Sequence, residues 1–159
     1  MNAAEQLENN HLLVIQSVDN LPELDWDVPN VHGTWSVKDI IAHLTSYEHI
    51  LTDVFRTFLE ESPDTPYLSK FIKQNSDFNA TEVETRKYST AQQVIDEYEE
   101  AQVDSTALLA RIPADIADKA GTMPWYGPER SLNDLIISFS THIREHCEQI
   151  AAFREREKQ

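Results

Sequence analysis

The sequence predicts an all-α protein, a four-helix bundle with one long crossover connection. Four long segments repeat apolar residues at steps of three and four, which is the period of a helix with one buried face. The chain contains three glycines in 159 residues. Sheet proteins of this size usually contain more, because glycine is common in their turns and bulges. The stretch 61–89 is too long for a plain hairpin between neighbouring helices, and it therefore indicates a crossover.

The first two helices are predicted over about 2–19 and 37–60. A loop with two prolines and a glycine separates them, and Ser36 is a good N-cap for the second helix, with Asp39 at the capping-box position. The inward stripe of the first helix reads Leu7, His11, Val14 and Val18, widened by Leu12 and Ile15. The inward stripe of the second helix reads Ile40, His43, Tyr47, Ile50, Val54 and Phe58.

The second half of the bundle follows an irregular stretch. Residues 67–86 read as broken helix, a third long helix spans about 90–112, and the last helix spans about 132–156. Ser131 and Asp134 form a second capping-box start, here for the last helix. The inward stripe of that helix reads Leu132, Leu135, Phe139, His142, His146, Ile150 and Phe153.

The composition bounds the location and the partners of the chain. A length of 159 residues with 40% hydrophobic content predicts one soluble domain over 1–159. We expect a cytoplasmic protein, because one cysteine allows no internal disulfide, the first residues are polar and acidic, and no apolar run approaches the roughly 18 residues of a membrane span. The net charge of −15 repels phosphate backbones and acidic lipid surfaces. Nucleic-acid and membrane partners are therefore not expected.

Three histidines, His43, His142 and His146, stand at core-facing positions that usually hold aliphatic residues. A buried imidazole is costly unless its ring nitrogens find partners. His142 and His146 lie one helical turn apart on one face, which suits two imidazoles on one metal ion, and His43 on a facing helix supplies a third ligand. Three protein ligands leave one coordination position open, as in catalytic zinc sites. The alternative is that all three are core histidines, hydrogen-bonded to buried tyrosine or glutamate.

The other histidines carry weaker signals. His49 lies about 120° around the second helix from His43 and is predicted to be exposed, while His32 in the preceding loop has no pattern to interpret. His11 faces inward on the first helix and is a candidate substrate-binding residue. The HEXXH motif of metalloproteases is not met, because Ile143 occupies the position of its general-base glutamate.

Four further side chains are candidates for the site. Tyr47 lies one turn from His43 and is a candidate catalytic residue that hydrogen-bonds in a pocket, unless it only packs. Glu48 is a second such candidate that orients an imidazole, unless it is a solvated carboxylate on the helix face. Trp125 and Tyr126 precede the last helix, where they are candidates to line a pocket mouth and bind substrate.

Two segments of the chain resemble a known family. Residues 35–44 read Trp-Ser-Val-Lys-Asp-Ile-Ile-Ala-His-Leu and are similar to the W-[ST]-x-x-[DE]-x-x-x-H-L signature of the DinB/YfiT-like superfamily. The start at Ser131 and the pair His142 and His146 resemble the last bundle helix of that superfamily, and Phe-Asn-Ala at 78–80 is similar to members near the ClbS/DfsB group. The resemblance implies a four-helix bundle in which the same three histidines hold a divalent metal, commonly zinc or nickel.

The resemblance also implies a function. Its members include metal-dependent S-transferases that use low-molecular-weight thiols, as well as isomerases and small-molecule resistance proteins. For this chain it implies a metal-dependent enzyme acting on a small electrophile, either as a thiol S-transferase with a thiol cosubstrate or, if water takes the open position, as a hydrolase. The alternative is a non-catalytic small-molecule binding, resistance or stress-response protein of the same fold.

A homodimer is expected as well. Apolar residues beyond the core stripes of the first and last helices leave a face for a second copy about a two-fold axis. These residues are Leu12, Ile15, Ile136, Ile137 and Ile143. The resemblance implies the same assembly.

Overall fold

The computed structural model describes residues 2–158, and the regular secondary structure in that range is helical apart from one isolated bridge. The helices of that range are α1 Ala3–Ser17, α2 Val37–Leu59, α3 Pro66–Gln74, α4 Asp77–Thr85, α5 Ala91–Leu109, α6 Ala114–Asp118 and α7 Leu132–Glu157, with a short 3-10 helix at Glu23–Asp27. The four long helices α1, α2, α5 and α7 form the bundle, so the predicted fold class is confirmed. None of these helices combines the length and the apolar composition that a bilayer crossing requires.

Each long helix begins with a capping box. The N-cap residues are Asn2, Ser36, Thr90 and Ser131. In α2 the backbone N–H of Asp39 donates to Oγ of Ser36 over 3.1 Å, and the N–H of Ser36 donates to the Asp39 carboxylate over 3.0 Å. Such a cap stabilises a helix start by about 1 kcal/mol. The boxes predicted for α2 and α7 are confirmed, and they set where the histidine-bearing helices begin.

The bundle consists of two tightly packed helix pairs. α2 packs more extensively against α5 than against any other helix, and α1 packs mainly against α7. α3 and α4 occupy the long connection between α2 and α5, and both pack against α2. The stretch predicted as broken helix is therefore two short helices, separated near Asn75, whose positive φ of 49° is a conformation that asparagine tolerates better than most residues.

Two predictions about the apolar faces are wrong. Leu12, predicted to widen the core face of α1, is 60% exposed. Ile136 and Ile143, predicted to lie beyond the core stripe of α7, are buried in the core, whereas Ile137 is exposed. The reason is that α7 contacts α1, α2 and α6 at once, so its buried face is broader than a stripe of three- and four-residue steps.

Candidate metal centre

His43 of α2 and His142 and His146 of α7 meet between the two helices. Nε2 of His142 lies 2.9 Å from Nε2 of His43 and 2.9 Å from Nε2 of His146. One ring nitrogen of each residue lies within 4.8 Å of the other two, which is the spacing of a group able to hold one metal ion. The structure thus brings together the three side chains that the helical stripes singled out.

Burial keeps these three rings uncharged. Burial is the main cause that lowers the pKa of His43 to about 2. The neighbouring rings of His142, His146 and His32 lower it further, in that order. Burial, again with its histidine neighbours, lowers the pKa of His142 to about 4, and burial also lowers the pKa of His146. All three rings are therefore neutral at neutral pH, the state in which an imidazole nitrogen serves as a metal ligand.

Gln149 decides which nitrogen of His146 carries the hydrogen. Nδ1 of His146 donates to the side-chain oxygen of Gln149 over 2.7 Å, so Nε2 presents its lone pair to the cluster. Neutral imidazole nitrogens that face one point repel each other unless a cation or a shared hydrogen lies between them. A donor set made of imidazoles suits a transition metal such as zinc, nickel, copper or iron and not magnesium or calcium, which prefer oxygen. The residues present therefore fit a divalent transition metal.

A fourth imidazole, that of His32, lies against the cluster. Its ring centroid is 5.3 Å from that of His146, and the rings meet edge to face. An isolated backbone bridge between His32 and Trp35 holds this loop, and the Trp35 ring lies 4.9 Å from that of His43. His32 was not predicted as a site residue, because helical periodicity carries no information about a loop residue. Its position just before the Trp-Ser helix start is the one signal that the sequence offers.

Tyr47 forms one wall of the cluster. Its ring centroid lies 4.7 Å from that of His43 and 4.8 Å from that of His142. The hydroxyl donates to the side-chain oxygen of Asn79 on α4 over 2.9 Å. Burial raises the pKa of Tyr47. The phenol is therefore protonated at neutral pH and acts as a hydrogen-bond donor, not as a base.

A cavity of about 610 Å³ lies beside the cluster. His142 belongs both to the cluster and to the cavity wall, so the two are continuous. Trp125 and Tyr126, the predicted pocket-mouth residues, line this cavity together with Tyr47. Its remaining lining residues are Phe71, Ile72, Asn75, Arg130, Leu135, Ser138 and Phe139. The volume falls within the range of small-molecule sites, roughly 300–1,000 Å³.

The likeness to known proteins extends over nearly the whole chain. The family model described as the DinB superfamily matches residues 6–150, a range that contains all three clustered histidines. The chain belongs to the DinB superfamily. Among solved structures it is similar to YfiT from Bacillus subtilis, described as a probable metal-dependent hydrolase with an unusual four-helix bundle topology, with a TM-score of 0.66 and 17% identity over 98% of this chain and 86% of that chain. At that identity the likeness shows a shared fold. No curated protein matches the sequence significantly.

Two of the predicted site residues of this DinB-superfamily chain form a separate buried pair. Nε2 of His11 donates to Glu48 over 2.6 Å, and the hydroxyl of Ser105 donates to the other carboxylate oxygen over 2.8 Å. Glu48 is 1% exposed and is not the solvated carboxylate considered from the sequence. It does orient an imidazole, but that imidazole is His11, which lines a groove between α1 and α5 and not the cavity beside His142.

His49 keeps part of its side chain at the surface, as predicted, but it is more covered than helical geometry alone indicates. Its Nε2 donates to Glu97 over 2.7 Å, its ring stacks on Tyr67 with centroids 4.4 Å apart, and the side chain is 24% exposed. Tyr67 belongs to α3, so the connection in this DinB-superfamily bundle folds back over a face of α2 that helical geometry alone leaves open to solvent. His49 lies outside the group of ring nitrogens that His43, His142 and His146 form.

Proposed function

We propose that the chain is a divalent-metal-dependent enzyme whose metal, zinc or nickel, is held by His43, His142 and His146. The observation that carries this proposal is the double role of His142, which belongs to the convergent imidazoles and also lines the cavity. Three protein ligands would leave a coordination position open for a small molecule, and the cavity lined by His142 would admit one. The description of YfiT as a probable metal-dependent hydrolase agrees with this proposal.

The reaction that we propose is substitution by a low-molecular-weight thiol at a small electrophile. The thiol gives up its proton to solvent, its sulfur bonds to the electrophilic carbon, and the bond from that carbon to the leaving group breaks. When bound, the metal acts as a Lewis acid that lowers the pKa of a thiol or a water at its open position. Among the described residues that line the cavity, none carries a carboxylate that is able to serve as a general base. This favours a nucleophile that loses its proton readily, and a thiol, with an ordinary pKa of about 8.5, does so far more readily than water at 15.7.

The side chains around the cluster support the reaction in other ways. The protonated hydroxyl of Tyr47 donates to Asn79, so this pair holds the tyrosine ring against His43 and His142. Trp125 and Tyr126 line the same cavity as Tyr47 and offer aromatic faces to a small molecule. Tyr47 is thus assigned a positioning role, and Trp125 and Tyr126 are assigned to substrate binding.

The metal is tested by elemental analysis of the purified, untagged protein. We expect one divalent transition metal per chain in the wild type and in His49→Ala, and a loss of most of it in His146→Ala. Both variants remove one imidazole, so the comparison isolates the role of the cluster. Equal metal content in the two variants contradicts the assignment of His146 as a metal ligand.

The reaction is tested by turnover with and without a thiol. A chloronitrobenzene together with a small thiol reports S-transfer, and a nitrophenyl ester without thiol reports hydrolysis. We expect thiol-dependent turnover that a chelator abolishes. Ester turnover without thiol supports the hydrolase instead. Metal binding without either activity, across a panel of electrophiles, supports the non-catalytic binding or resistance protein, which the lack of a lining carboxylate also permits.

A further inference from the structure

The charge of the cavity wall differs from that of the rest of the protein. The chain carries 28 acidic and 13 basic residues, for a net charge of −15. Among the described residues that line the cavity, none is acidic, and Arg130 is the charged residue among them. A cleft whose charged lining has one sign raises the local concentration of ions of the opposite sign. The cavity is therefore a place where this strongly acidic chain accepts an anion.

Arg130 is an exposed residue of the cavity lining, and its guanidinium group contacts the ring of a neighbouring lining residue. The guanidinium carbon lies 4.8 Å from the ring centroid of Tyr126, a cation–π contact that holds the guanidinium group over the cavity wall. In residues 2–158, no carboxylate lies within ion-pair distance of Arg130, whereas Arg86 pairs with both Glu82 and Glu97. The edge of a guanidinium group held in this way matches the two oxygens of a carboxylate.

The remainder of the wall suits a flat apolar body. Phe71 and Trp125 meet at right angles across 6.5 Å, and Tyr47 and Phe139 meet with their centroids 5.3 Å apart. Aromatic walls of this kind pack against a planar ring through offset or edge contacts. The cavity thus combines several aromatic faces with a single cationic anchor.

We infer that the substrate of this cavity is a small organic anion with a flat, apolar body, and that Arg130 binds its anionic group. The inference rests on the proposed function, because it assigns the substrate class of the cavity beside His142. It adds a specificity residue that lies outside the three-histidine cluster. A carboxylate is the anion whose geometry the guanidinium group matches directly.

The test compares an anion with a neutral molecule of the same shape. Naphthalene-1-carboxylate and naphthalene-1-methanol are titrated calorimetrically into the wild type, Arg130→Gln and Arg111→Gln. Arg111 is exposed and lies outside the cavity wall, so its variant removes the same charge elsewhere. We expect the wild type and Arg111→Gln to bind the carboxylate about tenfold more tightly than the alcohol, and Arg130→Gln to bind the two equally. Equal affinities in the wild type, or a preference that survives in Arg130→Gln, overturn the inference.

A second pair of variants separates Arg130 from the proposed metal. Arg130→Lys keeps the charge and is expected to keep part of the preference for the carboxylate, with added salt weakening what remains. His146→Ala, expected to lack metal, should retain the preference in full. A preference that disappears in His146→Ala assigns the anion to the metal and overturns the role of Arg130. The metal content of the same wild-type sample tests the proposed metal site independently of these affinities.

Discussion

Glu48 and His11 form a buried pair in which Nε2 of the imidazole donates to the carboxylate over 2.6 Å. Both side chains are almost fully buried, and Ser105 donates to the second oxygen of Glu48. A buried donor that loses its acceptor keeps the cost of its desolvation. We therefore expect Glu48→Ala to lower the free energy of unfolding by about 2–5 kcal/mol, measured by urea denaturation.

Glu60→Ala is the control for this substitution. Glu60 is an exposed carboxylate that pairs with Arg56 at the end of α2. Its removal should lower the free energy of unfolding by no more than about 1 kcal/mol. We also expect Glu48→Ala to retain its metal, because Glu48 orients His11 and not the clustered histidines. An unchanged stability contradicts the structural role of the pair, and a loss of metal from folded protein contradicts its separation from the cluster.

Gln149 is expected to control metal affinity through His146. Its side-chain oxygen accepts the Nδ1 hydrogen of His146, and the loss of such a partner costs a metal site about 10–100-fold in affinity. Gln149→Ala should show a loss of that size in a competition titration with a chromogenic chelator, whereas Gln149→Glu should retain most of the affinity because a carboxylate also accepts. Glu148→Ala, exposed on the same helix, is the control. Identical affinities in all four proteins refute this role of Gln149.

Glu97 gives stability a defined pH dependence. Burial alone raises the pKa of Glu97, but hydrogen bonds from His49 and Arg86 outweigh burial and lower it from 4.5 to about 2. Because the folded pKa is the lower one, the ionised carboxylate stabilises the fold above pH 4.5, and this contribution is lost as the pH falls from 4.5 towards 2. The difference in unfolding free energy between the wild type and Glu97→Gln should therefore shrink over that range.

Urea denaturation at a series of pH values measures this difference, and groups that titrate alike in both proteins cancel. Glu97 is 35% exposed, so solvent screening keeps the effect modest. Glu84→Gln, which removes an exposed carboxylate paired with Lys87, should show little dependence on pH. A difference between the wild type and Glu97→Gln that stays constant from pH 7 to pH 2 contradicts the lowered pKa.

The helix starts and the three histidines were predictable because their signals are local. A capping box needs only residues three apart, as with Ser36 and Asp39, and a core stripe repeats within one helix. The pairing of Glu48 with His11 was not predictable, since it depends on which faces of α1 and α2 meet across the bundle. The partial cover of His49 depends in the same way on the path of the connection, which brings Tyr67 of α3 over it.

The last prediction concerns assembly. Of the residues on which the homodimer was expected to form, Ile136 and Ile143 are buried in the core, whereas Leu12 and Ile137 are exposed. We expect the contact at the largely apolar groove that Leu12 lines. Leu12 of α1 and Val103 of α5 are 60% and 59% exposed, and with Ile15 they line a groove of about 540 Å³. A two-fold contact places the same patch on both copies, so we expect Leu12→Asp to convert a dimer into a monomer in light scattering at pH 7.5.

Ile137→Asp, which adds the same charge at an exposed position of α7, should leave the dimer intact. Two copies of net charge −15 repel each other, so added salt should tighten the dimer. The groove shares no lining residue with the cavity beside His142, and a chelator should therefore leave the dimer unchanged. A monomeric wild type at every salt concentration contradicts the dimer, and dissociation on chelation alone means that the metal bridges two chains and does not complete a site within one.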